Sequence, residues 1–132
     1  MFDAPRLGGV DGAPLGQVDA TITPRFVGPD TFARLPRAVD VGRVDVAILG
    51  IPFDSGVSYR PGARFGPAHI RQSSKLLRSY NAELHVEPFA AQQVVDAGDL
   101  AVNPFSLQEA ITTIETAATP LGASGTRLLT LG

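Results

Sequence analysis

The residues best suited to chemistry in this chain lie in one loop rich in glycine, proline and arginine. The stretch "GIPFDSGVSYRPGARFGPAHIRQSS" runs from Gly50 to Ser74 and leads from an apolar segment into the start of a helix. The loop covers roughly residues 52–65, longer than the ~2 to 6 residues usual for such a connection, and loops of this kind are usually functional. Its main polar side chains are those of Asp54, Ser58, Tyr59, Arg60 and Arg64.

A glycine loop ahead of a helix can also cradle a phosphate, because free N–H groups and the positive end of the helix dipole attract anions. However, "GARFGP" lacks the Lys-Ser/Thr pair of a P-loop. Its glycines also do not follow the G-x-G-x-x-G spacing of dinucleotide sites. The sequence therefore disfavours nucleotide binding.

Composition limits the classes of protein that need to be considered. The chain has 132 residues, 44% of them hydrophobic, a mean hydropathy of +0.12 and a net charge of -2, which indicates one packed domain. This charge gives no general attraction for nucleic acid. The absence of cysteine excludes disulfides, thiolate nucleophiles and sulfur metal ligands. With no signal-peptide pattern and no apolar run of about 18 residues, we expect a cytoplasmic protein without a membrane partner.

Three short apolar segments predict the strands that position the loop. They are "VDVAILGI" from Val44 to Ile51, "QQVVDAG" around Val94 and Val95, and "TRLLTL" just before Gly132. Helical patterns lie between them, so the order predicts an α/β fold with a parallel sheet. We expect residues 1–30 to form an extended arm and residues 31–132 to form part of this domain. A buried strand with no covering helix after it predicts a domain truncated after about three strands.

The first helix is predicted over "PAHIRQSSKLLRSYN", because Gly66 and Pro67 mark a helix start. Its spacing places Arg71, with Lys75 and Arg78, on a charged face, and places Ile70 on the face towards the sheet.

The second helix is predicted to begin at Ser106 or Leu107, because Ser106 and Glu109 have the spacing of a capping box. Three-and-four spacing predicts that Ile111 and Ile114 pack on the sheet, and Pro120 is expected to end the helix.

Several segments resemble the opening third of agmatinase-like ureohydrolases of the arginase family. They are "PRFVGPDTFARLP", "GIPFDSGVSYRPGARFGPAHIR", "LLRSYN" and "VVDAGD", in this order, and the resemblance runs from about Pro24 to Gly132. It implies a three-layer α/β/α arginase-like fold. It also implies a full-length enzyme in which two manganese ions activate a hydroxide that attacks a guanidinium carbon and releases urea. Such enzymes act on guanidino compounds such as agmatine or 4-guanidinobutyrate and commonly assemble as trimers or hexamers.

The family's metal-ligand segments, Gly-Gly-Asp-His, Asp-Ala-His-x-Asp and Ser-x-Asp-x-Asp, do not occur in this sequence. "LLTLG" resembles the strand that leads into the first of them. We therefore expect an N-terminal fragment that alone holds no manganese and is inactive, or alternatively a non-catalytic fragment that associates with full-length subunits. His69 and His85 lie outside the ligand motifs, and the resemblance makes Asp96 and Asp99 turn-forming residues after the second strand.

The resemblance also gives the loop a role as a wall near the mouth of the metal cleft. Arg60 and Arg64 are expected to fix this wall by pairing with carboxylates or carbonyls, with Gly62 and Gly66 shaping its path. The candidate contacts to substrate are Asp54, Ser58 and Tyr59. No residue of this chain is assigned a catalytic or metal-binding role.

Overall fold

The computed structural model describes residues 12–132, which form a three-stranded parallel sheet with helices between the strands. The strands are β1 (Val46–Gly50), β2 (Val94–Asp99) and β3 (Arg127–Leu131), in the spatial order β2-β1-β3. β1 pairs in parallel with both neighbours. Four of its five residues are buried, as expected for a nearly continuous apolar run at the centre of a sheet. The predicted parallel α/β order is confirmed.

Within residues 12–132, the α-helices lie between the strands, and short 3₁₀ segments lie before β1 and in the loop that follows it. The helices are α1 (Gly66–Ser74), α2 (Pro88–Ala91) and α3 (Leu107–Ala123). The 3₁₀ segments cover Phe32–Arg34, Ala38–Asp40 and Ala63–Phe65. Among the helices described between residues 12 and 132, none has the length and hydropathy needed to cross a bilayer.

The hydrophobic core lies between the sheet and the segment that precedes β1. Ile48 of β1 packs in one cluster with Val94 of β2, Leu131 of β3 and the segment residues Ala33 and Leu35. Burying an aliphatic side chain of this size stabilises the fold by about 1.5 to 3 kcal/mol. The segment 31–36 is therefore part of the domain core.

Helix α1 is shorter than predicted and turned differently. It ends at Ser74, whose hydroxyl donates to the carbonyl of Arg71 (2.6 Å) and accepts from the N–H of Ala33 (2.7 Å). Arg71 is buried whereas Ile70 is exposed, so the assignment of their faces was wrong. The reason is that Asp96 of β2 pairs with Arg71 and turns this side of the helix towards the sheet. The spacing of residues within α1 gives no information about an acid on another element.

Helix α3 begins as predicted but packs differently. Its N-cap Ser106 accepts from the N–H of Glu109 (3.2 Å), which confirms the predicted start. Pro120 does not end the helix, which continues to Ala123. Ile111 is 47% exposed, so its predicted packing on the sheet is wrong, and Ile114 is half-buried. The fully buried residue of α3 is Ala110, whose small side chain allows close approach.

The predicted arm contacts the domain around Leu15–Val18, whereas residues 24–30 are exposed, and residues 1–11 fall outside the described range. Residues 13–30 contain no helix or strand. The side chain of Gln93 joins this segment to β2 by accepting from the N–H of Leu15 (2.8 Å) and donating to its carbonyl (3.0 Å). The domain boundary at residue 30 remains a prediction.

Candidate functional site

The candidate site lies at the carboxyl ends of the parallel strands, where ligands gather in open α/β sheets. β1 ends at Gly50, and the N–H of Ile51 donates to the carbonyl of Leu131 at the end of β3 (2.7 Å). On the other side, the N–H of Leu100 donates to the carbonyl of Gly50 (2.9 Å). The 52–65 loop therefore leaves the sheet from a point held by both neighbouring strands.

Asp54 closes this loop upon itself. Its buried carboxylate accepts from the N–H of Gly62 (2.7 Å) through Oδ2 and from Nε of Arg64 (2.6 Å) through Oδ1. The Gly62 N–H lowers the pKa of Asp54 most; burial acts in the opposite direction, and the bonds and charge of Arg64 lower it further. The pKa of Asp54 is lowered overall, so the carboxylate is ionised at neutral pH. Its oxygens are hydrogen-bonded to groups of the loop itself.

Two glycines are required by the path of the loop. Gly62 has a φ of +140°, which residues with a side chain rarely adopt. A Cβ on Gly66 would lie 2.6 Å from the carbonyl oxygen of Gly132. The missing side chain of Gly66 therefore lets the start of α1 lie directly against the end of β3.

The tip of the loop carries the side chains that remain available for contact. Ser58, Tyr59 and Arg60 are all exposed, and Tyr59 is 85% exposed. The guanidinium carbon of Arg60 lies 5.5 Å from the centre of the Tyr59 ring, within the range of a cation–π contact. At the base of the loop, a cleft of about 230 Å³ opens between the loop and the segment after β2, and its lining includes Asp54, Arg64 and Val102.

A buried ion-pair cluster lies beside the site, and the sequence did not predict it. Arg71 of α1 donates through Nε to Oδ2 of Asp96 (2.8 Å) and through Nη2 to Oδ1 (3.0 Å), and it also pairs with Asp99. Both acids lie within β2, so the prediction that they form a turn after the strand was wrong. The acids at the end of β2 and the arginine on α1 could have indicated an ion pair. The sequence does not show that they meet, because Arg71 and Asp96 are 25 residues apart in the chain.

The environment of Asp96 favours its charged form. Burial is the largest effect and acts to raise the pKa of Asp96, but the hydrogen bonds from Arg71 and from the N–H groups of Phe32 and Gly98, with the charge of Arg71, outweigh it. The pKa of Asp96 is therefore lowered below its ordinary value. Asp96 thus ties the 3₁₀ segment at Phe32 and helix α1 to the sheet.

The described residues do not fit a metal centre. His69 is exposed on α1, and exposed His85 has its Nδ1 2.8 Å from the hydroxyl of Tyr80. Within residues 12–132, no group of three or more His, Asp or Glu side chains is placed to hold a metal ion.

Comparison with known proteins gives the class of this chain. Residues 44–132 match the model of the arginase family. The chain therefore belongs to the arginase family, in agreement with its parallel sheet and with the order of its segments.

Individual relatives show how similar the chain is to known enzymes and how much of their length it covers. The chain is 41% identical over 113 residues to the mitochondrial agmatinase of Gallus gallus, covering 86% of this chain and 33% of the relative. It is 41% identical over 112 residues to the guanidinobutyrase of Pseudomonas aeruginosa, covering 83% and 35%. The chain thus spans about a third of the length of the curated relatives it matches.

Solved structures support the same fold. The proclavaminate amidinohydrolase of Streptomyces clavuligerus superposes with a TM-score of 0.73 at 36% identity, covering 82% of this chain and 36% of that protein. The formiminoglutamase of Trypanosoma cruzi, solved with Mn²⁺, superposes with a TM-score of 0.58 at 31% identity, covering 67% and 31%. The present sheet corresponds to part of the sheet of an arginase-fold protein.

Proposed function

We propose that this chain is the N-terminal part of a C–N hydrolase that releases urea from a guanidino compound such as agmatine or 4-guanidinobutyrate. Membership of the arginase family supports the reaction class, and the names of the relatives support the substrate class. The observation that carries the proposal is the 52–65 loop, which Asp54 fastens at the carboxyl end of β1. A rigid loop at this edge of the sheet is suited to form one wall of a substrate cleft.

In this proposal, some residues of the loop fix its conformation and others contact the substrate. Asp54, Gly62 and Gly66 fix the path of the loop, while Arg64 is neutralised by Asp54. A neutralised Arg64 does not repel a guanidinium substrate, as an unpaired arginine would. The exposed hydroxyls of Ser58 and Tyr59 are free to hydrogen-bond a substrate at the cleft mouth. Substrate contact by Asp54 is less favoured, because its carboxylate is buried and occupied.

Manganese belongs to the complete enzyme in this proposal. A bound pair of ions would lower the pKa of water and so supply the nucleophile. Its ligands would come from outside residues 12–132, where no suitable group of His, Asp or Glu side chains is present. The 132-residue chain alone should therefore bind no stoichiometric manganese and release no urea. Metal analysis and a urea assay of the purified chain test this, and turnover by the chain alone would contradict it.

The contact residues are tested in a chimera. In it, residues 24–132 replace the matching segment of the Pseudomonas guanidinobutyrase. In this chimera, Ser58→Ala or Tyr59→Phe should raise KM for the guanidino substrate, because each removes a hydroxyl from the cleft mouth. Ser55→Ala and Tyr80→Phe are matched controls, since the Ser55 hydroxyl donates to Pro104 inside the fold (2.7 Å) and that of Tyr80 lies against His85. Equal effects of test and control variants would show that Ser58 and Tyr59 do not contact substrate.

The second candidate is a non-catalytic fragment that associates with full-length subunits. It is favoured by exposed apolar side chains around β3 and α3, where Leu129 is 50% exposed and Phe105 is 96% exposed. We further propose that the complete protein is cytoplasmic and forms a trimer or hexamer. Co-expression with the chimera separates the candidates, because an associating fragment would co-purify with its oligomer whereas an inactive piece of one enzyme would not.

A further inference from the structure

Arg34 is a buried cation without a partner. The residue is only 2% exposed, and within residues 12–132 its Nε, Nη1 and Nη2 atoms make no hydrogen bond. A guanidinium carries five N–H donors and stays charged at all relevant pH values. Burying such a charge without an acceptor is costly, so native proteins pair it. The arrangement indicates an acceptor that is not part of the described residues.

The backbone at Arg34 adopts an unfavourable conformation. Ala33 and Arg34 have φ values of +50° and +58°, in the left-handed region that non-glycine residues usually avoid. The N–H of Arg34 donates to the carbonyl of Thr31 (3.1 Å), and its carbonyl accepts from the N–H of Val18 (3.2 Å). Two consecutive residues in this conformation are retained where the surroundings enforce them, often at ligand sites.

Arg34 lines a cleft of about 750 Å³ between the 12–25 segment, the end of α1 and the residues around α2. The cationic residues of its lining are Arg25, Arg34, Lys75 and Arg78, and the acidic ones are Asp19 and Glu87. Asp19 accepts from the N–H and hydroxyl of Thr21, and Lys75 pairs with Asp30 outside the lining. The lining thus carries an excess of positive charge. Among these cations Arg25 and Arg78 are exposed and Lys75 is half-buried, so Arg34 is the buried cation of the lining.

We propose that this cleft is an oxyanion-binding site in which the guanidinium of Arg34 takes a carboxylate in a two-bond pair. A planar carboxylate matches the fork of N–H donors. Arg34 is already removed from water, and the attraction between opposite charges is stronger in such a low-dielectric place than at the surface. The site is separate from the 52–65 loop, so this proposal does not depend on the proposed hydrolase function. A small carboxylate and a phosphate share the required oxygen acceptors, and the experiment distinguishes them.

The test uses the 132-residue chain with ¹⁵N-labelled arginine. Acetate and, separately, inorganic phosphate are added while sodium chloride keeps the ionic strength constant. We expect the Nε–H resonance of Arg34 to shift and saturate, and the melting temperature to rise by about 5 °C or more when the anion reaches 100 times its Kd. Stronger binding of acetate identifies a carboxylate ligand, and stronger binding of phosphate identifies a phosphate ligand; either supports the oxyanion site.

Variants distinguish anion binding at Arg34 from a general effect of salt on the charges of the protein. Arg34→Met should abolish the anion-dependent rise in melting temperature, whereas Arg78→Met, which removes an exposed cation of the same cleft, should retain it. If Arg34→Met does not fold, Arg34→Lys keeps the charge but loses the fork of N–H donors, and anion binding should weaken by about tenfold.

The proposal is overturned if neither anion gives a saturable shift or if Arg34 variants respond like the wild type. It is also overturned if Glu87→Gln or Asp19→Asn moves the Arg34 resonance in the absence of anion, since a local acid would then be its partner.

Discussion

Arg71 and Asp96 form a two-bond ion pair that joins α1 to β2, with N···O distances of 2.8 Å and 3.0 Å. Both side chains are largely buried, at 10% and 2% exposure. The same carboxylate also accepts from the N–H of Phe32 (2.6 Å), so one acid connects the sheet, the helix and the segment before β1. This cluster positions the helix that follows the 52–65 loop.

Removing Arg71 should destabilise the fold strongly. Arg71→Met leaves a buried, unpaired carboxylate, which costs about 3 to 5 kcal/mol of unfolding free energy. Arg37→Met is the matched control, because it breaks an ion pair with Asp40 in which the arginine side chain is 64% exposed. Its cost should be about 0 to 1 kcal/mol. Denaturant unfolding followed by circular dichroism measures both variants, and equal costs would contradict the importance of the buried pair.

Acid should weaken the fold partly through Asp96. The pKa of this carboxyl is lowered in the folded protein, so its stabilising contribution is present above the ordinary pKa of about 3.9 and is lost as the pH falls through the lower folded value. Stability should therefore decrease more steeply below pH ~4 in the wild type than in Asp96→Asn. Glu115→Gln, on the exposed side of α3, controls for the loss of one acidic charge. Urea unfolding at a series of pH values tests this, and parallel slopes for wild type and Asp96→Asn would refute it.

Gly66→Ala should disturb the junction between α1 and β3. The added Cβ would approach the carbonyl oxygen of Gly132 to 2.6 Å, and a backbone atom cannot move aside cheaply. A cost of about 1 to 3 kcal/mol is expected for such overpacking. A Cβ on Gly56, in the same loop, would meet nothing within 4 Å. Thermal unfolding should show little change for Gly56→Ala, and a comparable loss for both variants would contradict the close contact.

The packing of α3 is tested by comparing two isoleucines. Ile111 is 47% exposed and Ile48 is 1% exposed. Ile48→Ala should cost about 2 to 5 kcal/mol, as for other buried large-to-small changes. Ile111→Ala should cost less than about 1 kcal/mol, because half of its side chain already faces solvent. Similar losses in unfolding free energy would mean that Ile111 is buried in solution.

The sequence predicted most of the strand framework. The apolar run at Val46–Gly50 and the capping residues at Ser106 and Glu109 are local patterns whose meaning does not depend on distant residues. The face of α1 was not predicted, because its orientation is decided by Asp96, 25 residues after Arg71 in the chain. A helical spacing shows which residues share a face but not which acid on the sheet attracts it.

The candidate site was only partly accessible to sequence reasoning. The loop could be located from its length and composition, but the division of its residues into support and substrate contact stays a prediction. The closure by Asp54 depends on a bond to the backbone N–H of Gly62, which no residue type reveals. The burial of Arg34 was not predicted either, because an arginine between Ala33 and Leu35 gives no signal that the backbone turns it inwards.

We propose that this chain forms part of a guanidino hydrolase of the arginase family. Urea release by the chimera defined above tests it most directly, with manganese supplied and with agmatine and 4-guanidinobutyrate as separate substrates. The claim predicts turnover of at least one substrate, and a lower rate when Asp54→Asn loosens the loop. A chimera that folds, assembles like the parent guanidinobutyrase and binds manganese, yet releases no urea from either substrate, would contradict it.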